Sequence, residues 1–93
     1  MRIISQKAIR KFEETHAQAT IPLKEWRKKM EALHCNNYAE LKQSFNAVDK
    51  VGMYCIFNIG GNKYRLIAAI HFNKQTLYIR EILTHEEYNQ WKP

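Results

Sequence analysis

His85 and Tyr88 stand three residues apart in the stretch "REILTHEEYNQWKP", residues 80–93, a spacing that puts both on one face if the stretch is helical. Arg80 opens that stretch, and Lys63 and Arg65 lie upstream. Together they offer a group that titrates near neutrality, a hydroxyl-bearing ring that orients or stacks, and cations for a pentacoordinate phosphate. Those are the parts of phosphoryl chemistry on RNA. The same stretch approaches the zinc-helix pattern H-E-x-x-H, but Asn89 occupies the place of the second imidazole, and an amide oxygen is a poor zinc ligand. No metal and no cofactor are expected. Thr84 and Glu87 have an explanation without function, because S/T-x-x-E is a capping box that starts a helix. The cap leaves His85 and Tyr88 unexplained.

The chain that must position these residues has 93 residues, enough for one small domain over 1–93 with a modest core. Its 15 Lys+Arg against 9 Asp+Glu give a net charge of +6, which points to a polyanionic partner: nucleic acid, an acidic protein or, less readily, a membrane surface. No apolar run approaches the roughly 20 residues of a membrane span. The start, "MRIISQKAIRK", lacks the apolar centre of a secretory signal. Cys35 and Cys55 have no C-x-x-C spacing; one disulfide is compatible with them, but reduced thiols in a cytoplasmic chain are the expected state.

The periodicity predicts an α+β fold. A first strand is expected over Arg2–Ser5 from the pair Ile3-Ile4. Ser5 then caps a helix to about Gln18, striped by Ile9, Phe12 and His16. A second helix is capped by Thr20, with Pro22 in its first turn and Leu23, Trp26, Met30 and Leu33 along one stripe. "YAELKQSF" suits two further helical turns, followed by a loop through Asp49 to Gly52. From Met53 the period is two: "MYCIFNI", "NKYRLIAAIHF" and "QTLYIREIL" form a three-stranded antiparallel meander, turned at Gly60-Gly61 and Asn73-Lys74 and closed by a short helix.

Two-residue turns would fix the faces of that meander. Met53, Cys55, Phe57, Tyr64, Leu66, Ala68, Ile70, Phe72, Leu77 and Ile79 share a core face, to be covered by the two N-terminal helices. The opposite face receives Tyr54, Ile56, Asn58, Lys63, Arg65, Ile67, Ala69, His71, Thr76, Tyr78, Arg80 and Ile82. It mixes cations, rings and small residues, and so reads as a ligand surface more than a second core. Arg65 and Arg80 fall two positions out of direct register there, close enough to share a phosphate. Exposed sheet faces also carry Lys, Arg and Thr for solubility alone, and the pattern does not choose between these readings.

"FNIGGNKYRLIAAIHF", Phe57 to Phe72, and "YIREILTHEEYNQW", Tyr78 to Trp91, resemble the HigB family of bacterial toxins. Its members show a G-G-N-x-x-R turn and strand, then a strand ending in I-R and a T-H-x-E-Y-D segment. The beginnings "RIISQKAIRKF" and "PLKEW" are similar too, and the departure is Asn89, where the family carries Asp. The resemblance implies a RelE-like fold in the order β-α-α-β-β-β-α, with two N-terminal helices on one face of an antiparallel sheet. It also implies a ribonuclease that cuts mRNA on the translating ribosome. A HigA antitoxin with a helix-turn-helix domain would neutralise it, and their complex would bind and repress its own operator.

In that frame the ribose 2′-OH attacks the adjacent phosphate without a metal. The resemblance assigns Arg65 and Arg80 to the scissile phosphate and His85 to acid or base work, with Lys63 in reserve and Tyr88 orienting or stacking. Tyr78 and Asn58 would contact RNA. Lys24, Arg27, Lys28 and Lys29 on the second helix would grip ribosomal RNA, although a solvated helix face is the ordinary explanation of such charges. Two rivals are a non-catalytic RNA-binding module and a protein-interaction subunit. A double-stranded-RNA module wants a basic start to its last helix, and Thr84-His85-Glu86-Glu87 is acidic.

Overall fold

A computed structural model describes residues 1–93. Strands β1 (Arg2–Ile4), β2 (Asp49–Val51), β3 (Tyr54–Ile59), β4 (Tyr64–His71) and β5 (Thr76–Thr84) form one sheet in the order β1-β5-β4-β3-β2. Helices α1 (Gln6–Thr15), α2 (Thr20–Ala32) and α3 (Tyr38–Ser44) precede β2, and α4 (His85–Asn89) ends the fold. The class is α+β, as expected. No helix is long and apolar enough to cross a membrane.

The sheet is antiparallel from β2 to β5 but mixed overall, because β1 pairs parallel to β5, Ile3 opposite Leu77. The chain reaches β5 from β1 only after the helices and the meander, so no hairpin forces the two to run in opposite directions. Five local expectations also change. Ser5 sits in the left-handed region (φ 75) and its side chain caps nothing, its carbonyl instead accepting the Ala8 amide at 2.9 Å. Helix α1 stops at Thr15, and a 3-10 turn over Ala17–Ala19 runs straight into α2. Thr20 is therefore already helical rather than a cap, and Leu33 lies beyond the helix in extended backbone. The loop expected before Gly52 contains β2, whose Val51 pairs with Tyr54.

The core lies between the sheet and the helices. Leu23, Trp26 and Met30 of α2 and Ile9 of α1 are buried against Cys55, Phe57, Leu66, Ala68, Leu77 and Ile79. Phe57 is the hub: Trp26 and Phe45 meet it edge-on, with ring centroids 5.5 and 5.3 Å away. Met53, expected on this face, is 71% exposed because it belongs to the tight turn between β2 and β3. Both cysteines are buried, free thiols. Burial pushes the Cys35 thiol up, and the neighbouring Glu40 adds to the rise. Burial also raises Cys55, against the partial opposition of Lys50. A raised thiol holds less thiolate at any given pH. Both cysteines should therefore resist a disulfide reagent at pH 8 in native protein and react fully once it is unfolded, read by absorbance. Fast labelling of the native chain would contradict their placement.

Two irregularities shape the face away from the helices. The turn after β3 spans Gly60–Lys63, since Ile59 pairs with Tyr64, and Gly60 and Gly61 hold φ of 62 and 68, the region where a side chain is strained. This moves the register two residues from a two-residue turn, so the faces survive while Lys63 leaves the strand. The second irregularity is a bulge in β5. Ala68 pairs with Ile79 but Ile67 pairs with Glu81, so Arg80 has no partner. Beyond it Ile82, expected on the outer face, lies opposite Leu66 and joins the core. A bulge of this kind re-aims side chains, and here Arg80 and Glu81 border the same concavity.

Candidate active site

The outer face is not wholly polar. Ile56 and Ile67 are 2% and 0% exposed yet lie outside the main core cluster, on the side where α4 docks. The expectation of a ligand surface rather than a second core is corrected to that extent. Two buried isoleucines underlie a rim of charged and aromatic groups.

Helix α4 sets that rim. Thr84 Oγ1 accepts the Glu87 amide at 3.2 Å and the Thr84 amide donates to Glu87 Oε1 at 2.9 Å, the capping box expected from the sequence. The His85 amide donates to the Lys63 carbonyl at 3.0 Å, which ties the helix start to the Gly60–Lys63 turn. His85 is exposed and Tyr88 half-buried.

The two arginines differ sharply. Arg65 is only 8% exposed; its Nη1 donates to the carbonyls of Asn62 and Tyr64, each at 3.1 Å, and its Nη2 meets His85 Nδ1 at 3.0 Å. Its guanidinium carbon stands 5.7 Å from the Tyr88 ring centre. Arg80 is exposed, with its guanidinium carbon 5.8 Å from the centre of the Tyr54 ring. Between these ends runs an aromatic arc: Tyr88 stacks on Trp91 at 5.8 Å, and Trp91 meets Tyr54 edge-on at 5.9 Å. Trp91 is anchored by its Nε1, which donates to Glu81 Oε2 at 2.8 Å. The bulge lengthens the offset between the arginines, since Arg65 now pairs with Leu83, three residues from Arg80. That is roughly 10 Å of strand. The two guanidinium groups stand over different rings and do not converge on one point.

A family model for the HigB toxin, the RelE-like toxic component of a toxin-antitoxin system, matches residues 19–91. The chain belongs to the HigB toxin family. It is 32% identical over 92 residues to the mRNA interferase toxin HigB of Escherichia coli strain K12, an alignment covering 96% of this chain and 88% of that protein. The mRNA interferase HigB proteins of Escherichia coli O157:H7 and Shigella flexneri match over the same spans at the same identity. As the toxic component of such a system, this HigB-family toxin has an antitoxin as its partner.

The structure gathers Arg65, His85 and Tyr88 of the HigB-family toxin, and extends them to Arg80 through two rings. Lys63 is exposed in the turn beside them. Tyr78 lies farther along the same face, 37% exposed and edge-on to His71 at 5.3 Å. Asn58, opposite Arg65 on β3, reaches the sheet's other border near Lys29. The α2 cations are not part of the cluster, because α2 packs on the core side. Arg27 is held by Gln6 at 3.3 Å and by Glu31 at 3.9 Å, and Lys29 binds the Ser44 carbonyl and sits over Phe45. Lys24 and Lys28 are exposed. Tyr54, Glu81 and Trp91 complete the rim without having been singled out from the sequence. Trp91 in the terminal segment and Tyr54 on the outer face were its visible signals; Glu81 gave none, because an unbulged strand points it the other way.

Proposed function

We propose that this toxin is an mRNA interferase that cleaves without a metal, through attack of the ribose 2′-oxygen on the adjacent phosphorus. The 2′-oxygen loses its proton as the new bond to phosphorus forms. The bond to the 5′-oxygen breaks, that oxygen takes up a proton, and a 2′,3′-cyclic phosphate remains. The observation that carries the reading is the joining of Arg65, His85 and Tyr88 on an exposed rim that continues to Arg80. Arg80, exposed and without a hydrogen bond in the chain, supplies positive charge to the phosphate. Tyr88 and Trp91 offer ring faces on which an unpaired base stacks. His85 and Lys63 are the polar groups at hand beside the reacting oxygens.

The reading includes the ribosome. Exposed Lys24 and Lys28 on α2, which packs on the core side of the sheet, offer a second basic surface apart from the rim, which suits a large RNA body. A HigA-type helix-turn-helix antitoxin, and repression of their operator by the complex, complete the proposal. The test is 5′-end mapping of transcripts from cells induced for the toxin alone. Cuts in reading frame that vanish when the start codon is removed are expected. Cuts that persist in untranslated messages would remove the ribosome from the reading, and intact transcripts during growth arrest would remove the nuclease. Purification of the toxin with the product of a neighbouring helix-turn-helix gene tests the partner.

A further inference from the structure

We propose that Arg65 is a positioning residue: by donating to Nδ1 of His85 it fixes the imidazole proton on Nε2, and so makes His85 a hydrogen-bond donor to the reacting phosphate instead of the base. The inference deepens the nuclease reading and rests on it for its catalytic consequence.

The guanidinium of Arg65 carries only donors and does not lose its proton in proteins. At 3.0 Å from Nη2, Nδ1 of His85 is therefore the acceptor. Neutral imidazole has one donor nitrogen and one acceptor nitrogen. With Nδ1 occupied as acceptor, the proton resides on Nε2, and no lone pair is left to take a proton from the 2′-OH. Arg65 is also badly placed to grip phosphate itself. It is 8% exposed, and its Nη1 is committed to the Asn62 and Tyr64 carbonyls. Two structures thus converge on one ring: the capping box and the Lys63 carbonyl hold the backbone of His85, while Arg65 holds its imidazole.

The proton accounting changes accordingly. As the 2′-oxygen bonds to phosphorus, its proton leaves to water. Negative charge gathers on the non-bridging oxygens, and Nε2–H of His85 donates to one of them without transferring its proton. The bond to the 5′-oxygen then breaks and that oxygen is protonated by water or by the Lys63 ammonium. A neutral imidazole serving as donor toward developing oxyanion charge is established chemistry in other enzymes.

The experiment compares the full-length toxin with His85→Ala and His85→Gln, each cleaving mRNA on translating ribosomes. Glutamine places an N–H near the position of Nε2 and has no basic nitrogen. Loss of one such donor costs about 10²–10³-fold in rate, so His85→Ala falls by that much, and His85→Gln recovers about tenfold or more of the loss. A Gln variant as slow as the Ala variant would mean that His85 moves the proton, and would overturn the proposal. In the ¹⁵N-labelled wild type, His85 shows an unprotonated Nδ1 and a protonated Nε2, and the Nδ1 signal moves in Arg65→Met. A protonated Nδ1 in the neutral wild-type ring would equally overturn it. Should Arg65→Met fail to fold, the Gln–Ala comparison and the wild-type spectrum still decide. A folded wild type that cuts no RNA brings down the nuclease reading and the catalytic consequence, whereas the spectrum reports on the Arg65–His85 contact by itself.

Discussion

Cells that express Arg80→Ala without an antitoxin keep growing, while the wild-type chain arrests them. Arg80 is the unpaired residue of the β5 bulge, exposed, with its guanidinium over Tyr54. Removing it breaks no hydrogen bond and opens no cavity in the core, so the fold is retained, as circular dichroism and an unchanged urea midpoint should show. What disappears is the one exposed guanidinium on the rim, and cleavage is expected to fall by about 10²–10³-fold, the typical loss when a preorganised group facing developing charge is deleted. Arg80→Lys restores part of it, since an ammonium keeps the charge but not the planar fork that matches phosphate oxygens. Undiminished arrest by a folded Arg80→Ala chain would take Arg80 out of the chemistry.

The largest loss of stability is expected at Phe57→Ala, about 3–5 kcal/mol. Phe57 is 1% exposed and wedged between Trp26 of α2 and Phe45 beyond α3. Its removal leaves a void bordered by two aromatic rings whose positions depend on the rest of the core, so the site collapses poorly. Small domains have roughly 5–15 kcal/mol in total, and this variant should lose much of its native population at 37 °C. Urea denaturation followed by tryptophan fluorescence gives the number; a loss below about 1 kcal/mol would mean that the two sides of the core are not joined through this ring. Such a variant would also be non-toxic, but for a reason distinguishable from Arg80→Ala by its circular dichroism.

The contrast between these positions mirrors what was readable in the sequence. The core face was readable because period-two alternation in Cys55, Phe57, Leu66 and Ala68 needs only parity, and the longer turn at Gly60–Lys63 shifted the register by an even number. Parity fails at one inserted residue. The bulge therefore leaves no mark in the pattern, and neither does the turning of Ile82 into the core and of Glu81 toward the rim. The parallel pairing of β1 was hidden for another reason, since three residues carry no mark of their neighbour's direction. Within the site, the capping box was readable because its partners lie three residues apart. The Arg65–His85 bond spans 20 residues and depends on how the turn and the helix start meet. The sequence shows the two residues only as separate tools, and their contact is a property of the fold alone.

Helix α4 has only five residues, far fewer than the roughly 12 to 15 that a helix needs to persist unaided in water. His85 and Tyr88 thus ride on an element whose shape is borrowed from its dock: the Lys63 carbonyl, the Arg65 side chain and the Trp91–Glu81 contact. Detaching it exposes little buried surface, so its opening costs less than the melting of the sheet beneath. On warming, catalytic competence fades ahead of the cooperative transition, and the amides of α4 exchange with deuterium earlier than those of β4.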